Sequence, residues 1–119
     1  MIFIDTGAFV ARYRTSDSFH DLAVAGWKQL EAKPRRCFTS DLVLAETITL
    51  LRRYIGAKPA AERARIILSS AALTILRPEQ EEELQAADWL EKYREHELSF
   101  TDCVSFALMR QYRIRTVMA

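Results

Sequence analysis

The sequence is poor in the residues that break or decorate a fold. It has only three glycines and three prolines in 119 residues, which argues against long loops or disordered stretches. Cysteine is scarce as well. Cys37 and Cys103 are the only two. They form no C-x-x-C pair and have no histidine at zinc-ligand spacing, so a zinc knuckle and a disulfide framework are excluded. Buried thiols in a reducing compartment are expected. Charge of one sign is lacking too: 17 Lys and Arg against 16 Asp and Glu leave a net charge of +1. No bulk field pulls the chain toward a polyanion, and any nucleic-acid contact must use local basic patches. No apolar run approaches the ~20 residues that span a bilayer. The opening "MIFI" has no basic region before it and is too short for a signal peptide, so a cytoplasmic protein is the expectation.

What is present fits one globular domain over 1–119, with half its residues hydrophobic and 28% charged. Four short runs rich in Ile, Val, Phe and Thr read as strands: "MIFI" at 1–4, "RCFTS" at 36–40, "LTILR" at 73–77 and "IRTVM" at 114–118. Helical patterns lie between them. "SFHDLAVAGWKQLEA" puts Phe19, Leu22, Ala23, Gly26, Trp27 and Leu30 on one face, expected to be its apolar side. "DLVLAETITLLRRYI" begins at a Ser40 or Asp41 cap, and "KPAAERARIILSSA" carries Pro59 near its first turn. "RPEQEEELQAADWLEKYREH" concentrates acids at its start, where the helix dipole favours them, and "FTDCVSFALMRQY" leads into the last strand. Strands alternating with helices predict an α/β three-layer sandwich, a small central parallel sheet flanked by helices.

Three acids stand apart from the solvated run "EQEEELQAAD". Asp5 ends the first apolar run, either as a helix N-cap or at the strand end where open α/β sheets place ligand chemistry. Glu46 interrupts a stripe formed by Leu42, Val43 and Leu50. A carboxylate there is costly unless it is paired, for instance with Arg52 or Arg53, bound to a metal, or at a cleft edge. Asp102 follows Ser99 at capping-box spacing, in flanks apolar enough to suggest a buried helix start. In a parallel sheet, helix starts lie at the same edge as strand C-termini, so all three acids are expected to converge there. Clustered carboxylates repel unless a cation neutralises them. Mg²⁺ and Mn²⁺ favour such oxygen ligands, and they activate water and stabilise charge at a phosphate under attack.

Together "MIFIDTGAFVA", "FTSDLVLAETITLLRR" and "LSFTDCVSFALMRQYRIRTV" resemble the PIN domain, in particular the VapC-type ribonuclease toxins. The resemblance covers nearly the whole chain and implies a metal-dependent endoribonuclease, the toxin of a toxin–antitoxin pair. Carried over, Asp5, Glu46 and Asp102 become the catalytic, metal-binding acids for Mg²⁺ or Mn²⁺. Thr6 and Thr101 become the hydroxyl residues beside the first and third acids. A small antitoxin and a homodimer are the implied partners. For RNA contact, Arg12 and Arg14 stand near Asp5 in sequence, and Arg52 and Arg53 follow Glu46. His20 and His96 read as bystanders.

The sequence departs from the family at one place. Members usually carry a fourth acid just after the strand matching "IRTVM", and no acid follows Asp102 here. The expectation is a domain truncated relative to the family, lacking its last strand and fourth acid. The alternative is therefore an impaired PIN-like module that binds a protein partner or RNA without cleaving. A phosphatase or receiver-like phosphotransfer domain fits less well. Position 7 is Gly where the phosphatase needs an Asp, "LTILRPEQ" lacks the receiver's Asp, and no G-x-x-x-x-G-K loop is present.

Overall fold

The computed structural model describes residues 1–119. Strand β1 (Ile2–Ile4) is followed by α1 (Thr6–Tyr13) and α2 (His20–Ala32), then β2 (Cys37–Ser40), α3 (Asp41–Ile55) and α4 (Ala57–Leu68). Strand β3 (Leu73–Leu76) leads through α5 (Gln80–Lys92) and α6 (Phe100–Tyr112) to β4 (Thr116–Met118). The four apolar runs are the four strands, each trimmed by a residue or two, and they form one sheet in the order β3-β2-β1-β4. Every pairing is parallel; Ile4 stands opposite Met118, and Phe3 opposite Phe38.

This order fixes the layers. From β1 the chain steps through β2 to β3 in one direction, then returns past both to β4. Right-handed crossovers put α1–α4 on one face of the sheet and α5–α6 on the other. The packing agrees, since α1 lies against α2 and α3, α3 against α4, and α5 against α6. Between the layers sit Phe3, Ile4, Phe9, Val43, Val104 and Leu108, all essentially without solvent exposure. The chain's direction reverses about β1, so the switch point lies between β1 and β4. The crevice beyond the strand C-termini at such a point is where open α/β sheets bind ligands.

Helix α2 differs from its pattern. None of its residues is fully buried, and Phe19 and Leu22, assigned to the apolar side, are 64% and 71% exposed. The helix is an outer element that packs mainly on α1. Only its later turns reach the core, through Trp27 and Leu30. Trp27 donates its indole N–H to the Ala8 carbonyl at 3.2 Å, and its ring stands 5.6 Å from that of Phe9. The α3–α4 junction needs a residue without a Cβ: Gly56 has φ +95° and ψ 164°, a region open essentially to glycine alone.

Candidate active site

The site begins where β1 ends. Three buried residues lead to Asp5, whose N–H donates to the Met118 carbonyl at 2.9 Å and so extends the β1–β4 ladder by one step. On the other side, the buried Thr39 hydroxyl donates to the Ile4 carbonyl at 2.8 Å. Asp5 is therefore held from both neighbouring strands. Thr39 escaped the sequence reading, and its only signal was a hydroxyl in a strand otherwise destined for the core. Asp5 occupies the N-cap position of α1 with extended backbone, yet its carboxylate makes no cap hydrogen bond. The capping role is not realised, and the side chain is left half-buried at the C-terminal end of β1.

Asp102 comes from the other layer, near enough for its charge to act on Asp5. It is the third residue of α6 and completes a capping box. The Ser99 hydroxyl accepts from the Asp102 N–H at 3.0 Å, and Asp102 Oδ2 accepts from the Ser99 N–H at 3.0 Å. The box pins one carboxylate oxygen and leaves the other for a ligand. The start of α6 differs from expectation. It is not buried, with Phe100 and Phe106 open to solvent, and only Cys103, Val104, Ser105, Ala107 and Leu108 turn inward.

Electrostatics tie the two acids together. Burial pushes the Asp5 carboxyl above its ordinary range, the Thr6 backbone N–H offsets part of this, and the negative charge of Asp102 adds to the rise. Desolvation and a like charge both disfavour the ionised form. A cation between the two carboxylates would remove both penalties. Neither cysteine competes for that role. Burial raises both thiols, and Asp102 raises Cys103 further, so they stay neutral and inert.

Glu46 does not complete a triad. The buried stripe of α3 is Val43, Leu44, Thr47 and Leu51, and Glu46 lies half-buried on its shoulder. No three His, Cys, Asp or Glu side chains converge in a metal-holding arrangement. The expected convergence of three acids is thus corrected: Asp5 and Asp102 are coupled through their charges, and Glu46 does not join them in a metal-holding group of three. The pairing of Glu46 with Arg52 or Arg53 is also absent, because the one ion pair in the chain joins Arg77 to Asp41 at 3.6 Å.

The remaining residues divide. Thr6 is buried beside Asp5 and its hydroxyl has no partner, as is true of Thr47 and Ser105. Thr101 is half-exposed in the first turn of α6, where Ser99 already supplies the cap. Arg12 is corrected to the opposite side of the molecule. Its guanidinium lies 4.5 Å from the Trp27 ring centroid, beside Cys37 and Leu73, which open β2 and β3. Arg53 is exposed in the last turn of α3, two turns past Glu46. Both were placed near the acids by sequence distance, but α1 and α3 run away from the strand C-termini and carry them off. Arg14 stacks on Tyr54 at 3.7 Å, and His20 Nδ1 is 2.7 Å from the Ala11 carbonyl oxygen.

A two-carboxylate site suits a hard cation. Mg²⁺ commonly takes one or two protein carboxylates and fills its remaining positions with water and substrate phosphate oxygens. The free Asp5 carboxylate and the unpinned Asp102 oxygen match that donor set.

The PIN domain family matches residues 2–119. The 23S rRNA-specific endonuclease VapC20 of two Mycobacterium tuberculosis strains, CDC 1551 and H37Rv, is 39% identical over 122 residues, covering 100% of this chain and 88% of the relative. The crystal structure of Mycobacterium tuberculosis VapC20, described as a sarcin–ricin loop cleaving toxin, superposes with a TM-score of 0.91 at 36% identity, covering 100% of this chain and 88% of the other. A toxin–antitoxin complex from Klebsiella pneumoniae shares the fold, with a TM-score of 0.68 at 18% identity and coverage of 99% and 85%.

Proposed function

The chain belongs to the PIN domain family, and from that premise we propose that it is a VapC-type toxin, an endoribonuclease working through Asp5, Asp102 and Glu46. The observation that carries the reading is the pair Asp5 and Asp102, brought from two layers to the sheet's switch point and coupled through their charges. Asp5 and Asp102 would hold Mg²⁺ or Mn²⁺. Bound there, the ion would neutralise charge building on the scissile phosphate and activate a water for in-line attack. Ser99 fixes the rotamer of Asp102, and Thr39 fixes the end of β1. Glu46, free of any ion pair, would accept the proton of the attacking water, directly or through one bridging water, as the new P–O bond forms. The bond to the leaving ribose oxygen then breaks, and that oxygen takes a proton from solvent. Thr101, half-exposed in the first turn of α6, offers its hydroxyl to the phosphate, whereas the buried Thr6 hydroxyl stays beneath Asp5.

Similarity to VapC20 makes 23S rRNA the first substrate to try. With this reading we also propose a small antitoxin partner, a homodimer and a cytoplasmic setting. No helix is long and apolar enough to cross a membrane.

The test is calorimetric titration with Mn²⁺, paired with a gel assay on RNA. Binding that disappears in Asp5→Asn, together with lost cleavage, is the expected result. Cleavage that persists in Asp5→Asn would overturn the mechanism. Metal-independent RNA binding without cleavage in the unaltered chain would favour the non-cleaving module.

A further inference from the structure

The aromatic side chains of the α5–α6 layer are not spread evenly. Trp89 and Lys92 of α5, Tyr93 and His96 just beyond it, and Phe106 and Arg110 of α6 surround a cavity of about 640 Å³. Tyr93 and Phe106 are large rings left 42% and 47% exposed. Cations already sit against the aromatic faces: Lys92 Nζ is 5.3 Å from the Tyr93 centroid, and Arg110 Cζ is 5.5 Å from that of Trp89. No acidic side chain lines this cavity, whereas Glu81, Glu82 and Asp88 line its neighbour. Arg110 and Trp89 border both hollows, while the acids line only the second.

Its position gives the cavity a use. Asp102, Phe106 and Arg110 are spaced by four residues along α6, so they share one helix face. Phe106 stands one turn, about 6 Å, beyond Asp102. A single strand whose phosphate rests at Asp5 and Asp102 would bring a neighbouring nucleotide to the cavity mouth. Proteins read RNA largely through unpaired bases splayed onto aromatic side chains, with Arg and Lys on the backbone.

We propose that this cavity is a base-binding subsite for the RNA substrate. It takes one unpaired base against Phe106 and Tyr93, while Arg110 and Lys92 meet the flanking phosphates. The proposal rests on the endoribonuclease reading and adds to it a determinant of where the strand is cut. A second copy of the chain is a poorer occupant. In a two-fold contact the patch would meet itself, setting Lys92 and Arg110 against their own counterparts with no acid in the cavity to pair them.

The test separates binding from cleavage. Fluorescence anisotropy of a labelled single-stranded oligoribonucleotide is measured with Asp5→Asn protein, alone and combined with Tyr93→Ala, Phe106→Ala or Arg110→Ala. Each aromatic truncation is expected to weaken binding about tenfold, the scale of one stacked base, and Phe106→Trp should restore it. An oligonucleotide with a single abasic position should bind the Asp5→Asn and Asp5→Asn/Phe106→Ala proteins alike. Melting curves check that the exposed positions tolerate the changes. Undiminished RNA binding in the truncated variants overturns the subsite, and so does a change confined to oligomeric state in light scattering. In parallel, the same truncations are assayed for cleavage with Asp5 intact. Cleavage that survives them unaltered sinks the subsite but leaves the nuclease reading standing. Subsite-dependent binding in a chain that never cleaves does the reverse.

Discussion

Asp5 is under two opposed demands. Its backbone is fastened to both neighbouring strands, while its carboxylate is left uncapped, partly desolvated and near Asp102. A carboxyl whose folded-state pKa is raised binds its proton more tightly in the native chain than in the unfolded one. Stability without metal is therefore greatest below the unfolded value and falls as pH rises from there through the raised native pKa. Asp5→Asn should flatten that fall and melt above the unaltered chain at neutral pH, as differential scanning calorimetry without divalent ions would show. Added Mn²⁺ reverses the ranking, since an ion that binds only the native state stabilises it by mass action. The unaltered chain should gain melting temperature with Mn²⁺, and Asp5→Asn should not. In cleavage assays the substitution should cost about 100-fold or more, the scale of losing a group that stabilises transition-state charge. A variant destabilised at neutral pH without metal would contradict this account of Asp5.

Elements carry the next level of the argument, and α6 shows it most directly. Its capping box does two jobs, closing the helix start and aiming Asp102. Ser99→Ala should cost about 1 kcal/mol, seen as a melting temperature lower by about 4 °C. It should also slow cleavage, because the Asp102 amide loses its partner and the first turn frays. Ser99→Thr, which keeps the cap, should recover both. At the α3–α4 junction, Gly56→Ala should cost about 1–3 kcal/mol with little effect on metal affinity, measurable by urea denaturation. Elements also mark how far the sequence could be read. Ser99-x-x-Asp102 has a fixed geometry, so both the cap and the acid were legible in it. The stripe of α2 was legible as a helix but not as an outer one, because periodicity reports a face without saying what covers it. Arg12 and Arg53 were misplaced for a related reason. Distance along the chain ignores helix direction, and each helix here leads away from the strand end that precedes it.

At the scale of the whole molecule, the alternation of strands and helices implied a parallel sheet, yet nothing local revealed that β1 would lie inside it with β4 on its far side. That order is what brings Asp5 and Asp102 together, so the pair was legible only as a consequence of topology. Glu46 shows the complement: its helix was legible, but that it joins no metal-holding group of three needed coordinates. Charge is the remaining global property. With 17 basic and 16 acidic side chains and one ion pair between side chains, the surface is a mixture of solvated charges rather than a basic face. RNA affinity must then come from a few local contacts and stacking, and little from a polyelectrolyte field. Each phosphate neutralised on a single strand contributes about −0.7 to the slope of log K against log salt. Three or four such contacts predict a slope of about −2 to −3 for Asp5→Asn protein titrated with RNA across a KCl series. Arg110→Ala should make the slope shallower by about 0.7, whereas Phe106→Ala should lower affinity and leave the slope unchanged, because stacking releases no counterions. A slope steeper than about −5 would mean that many more phosphates are held than this charge distribution can hold.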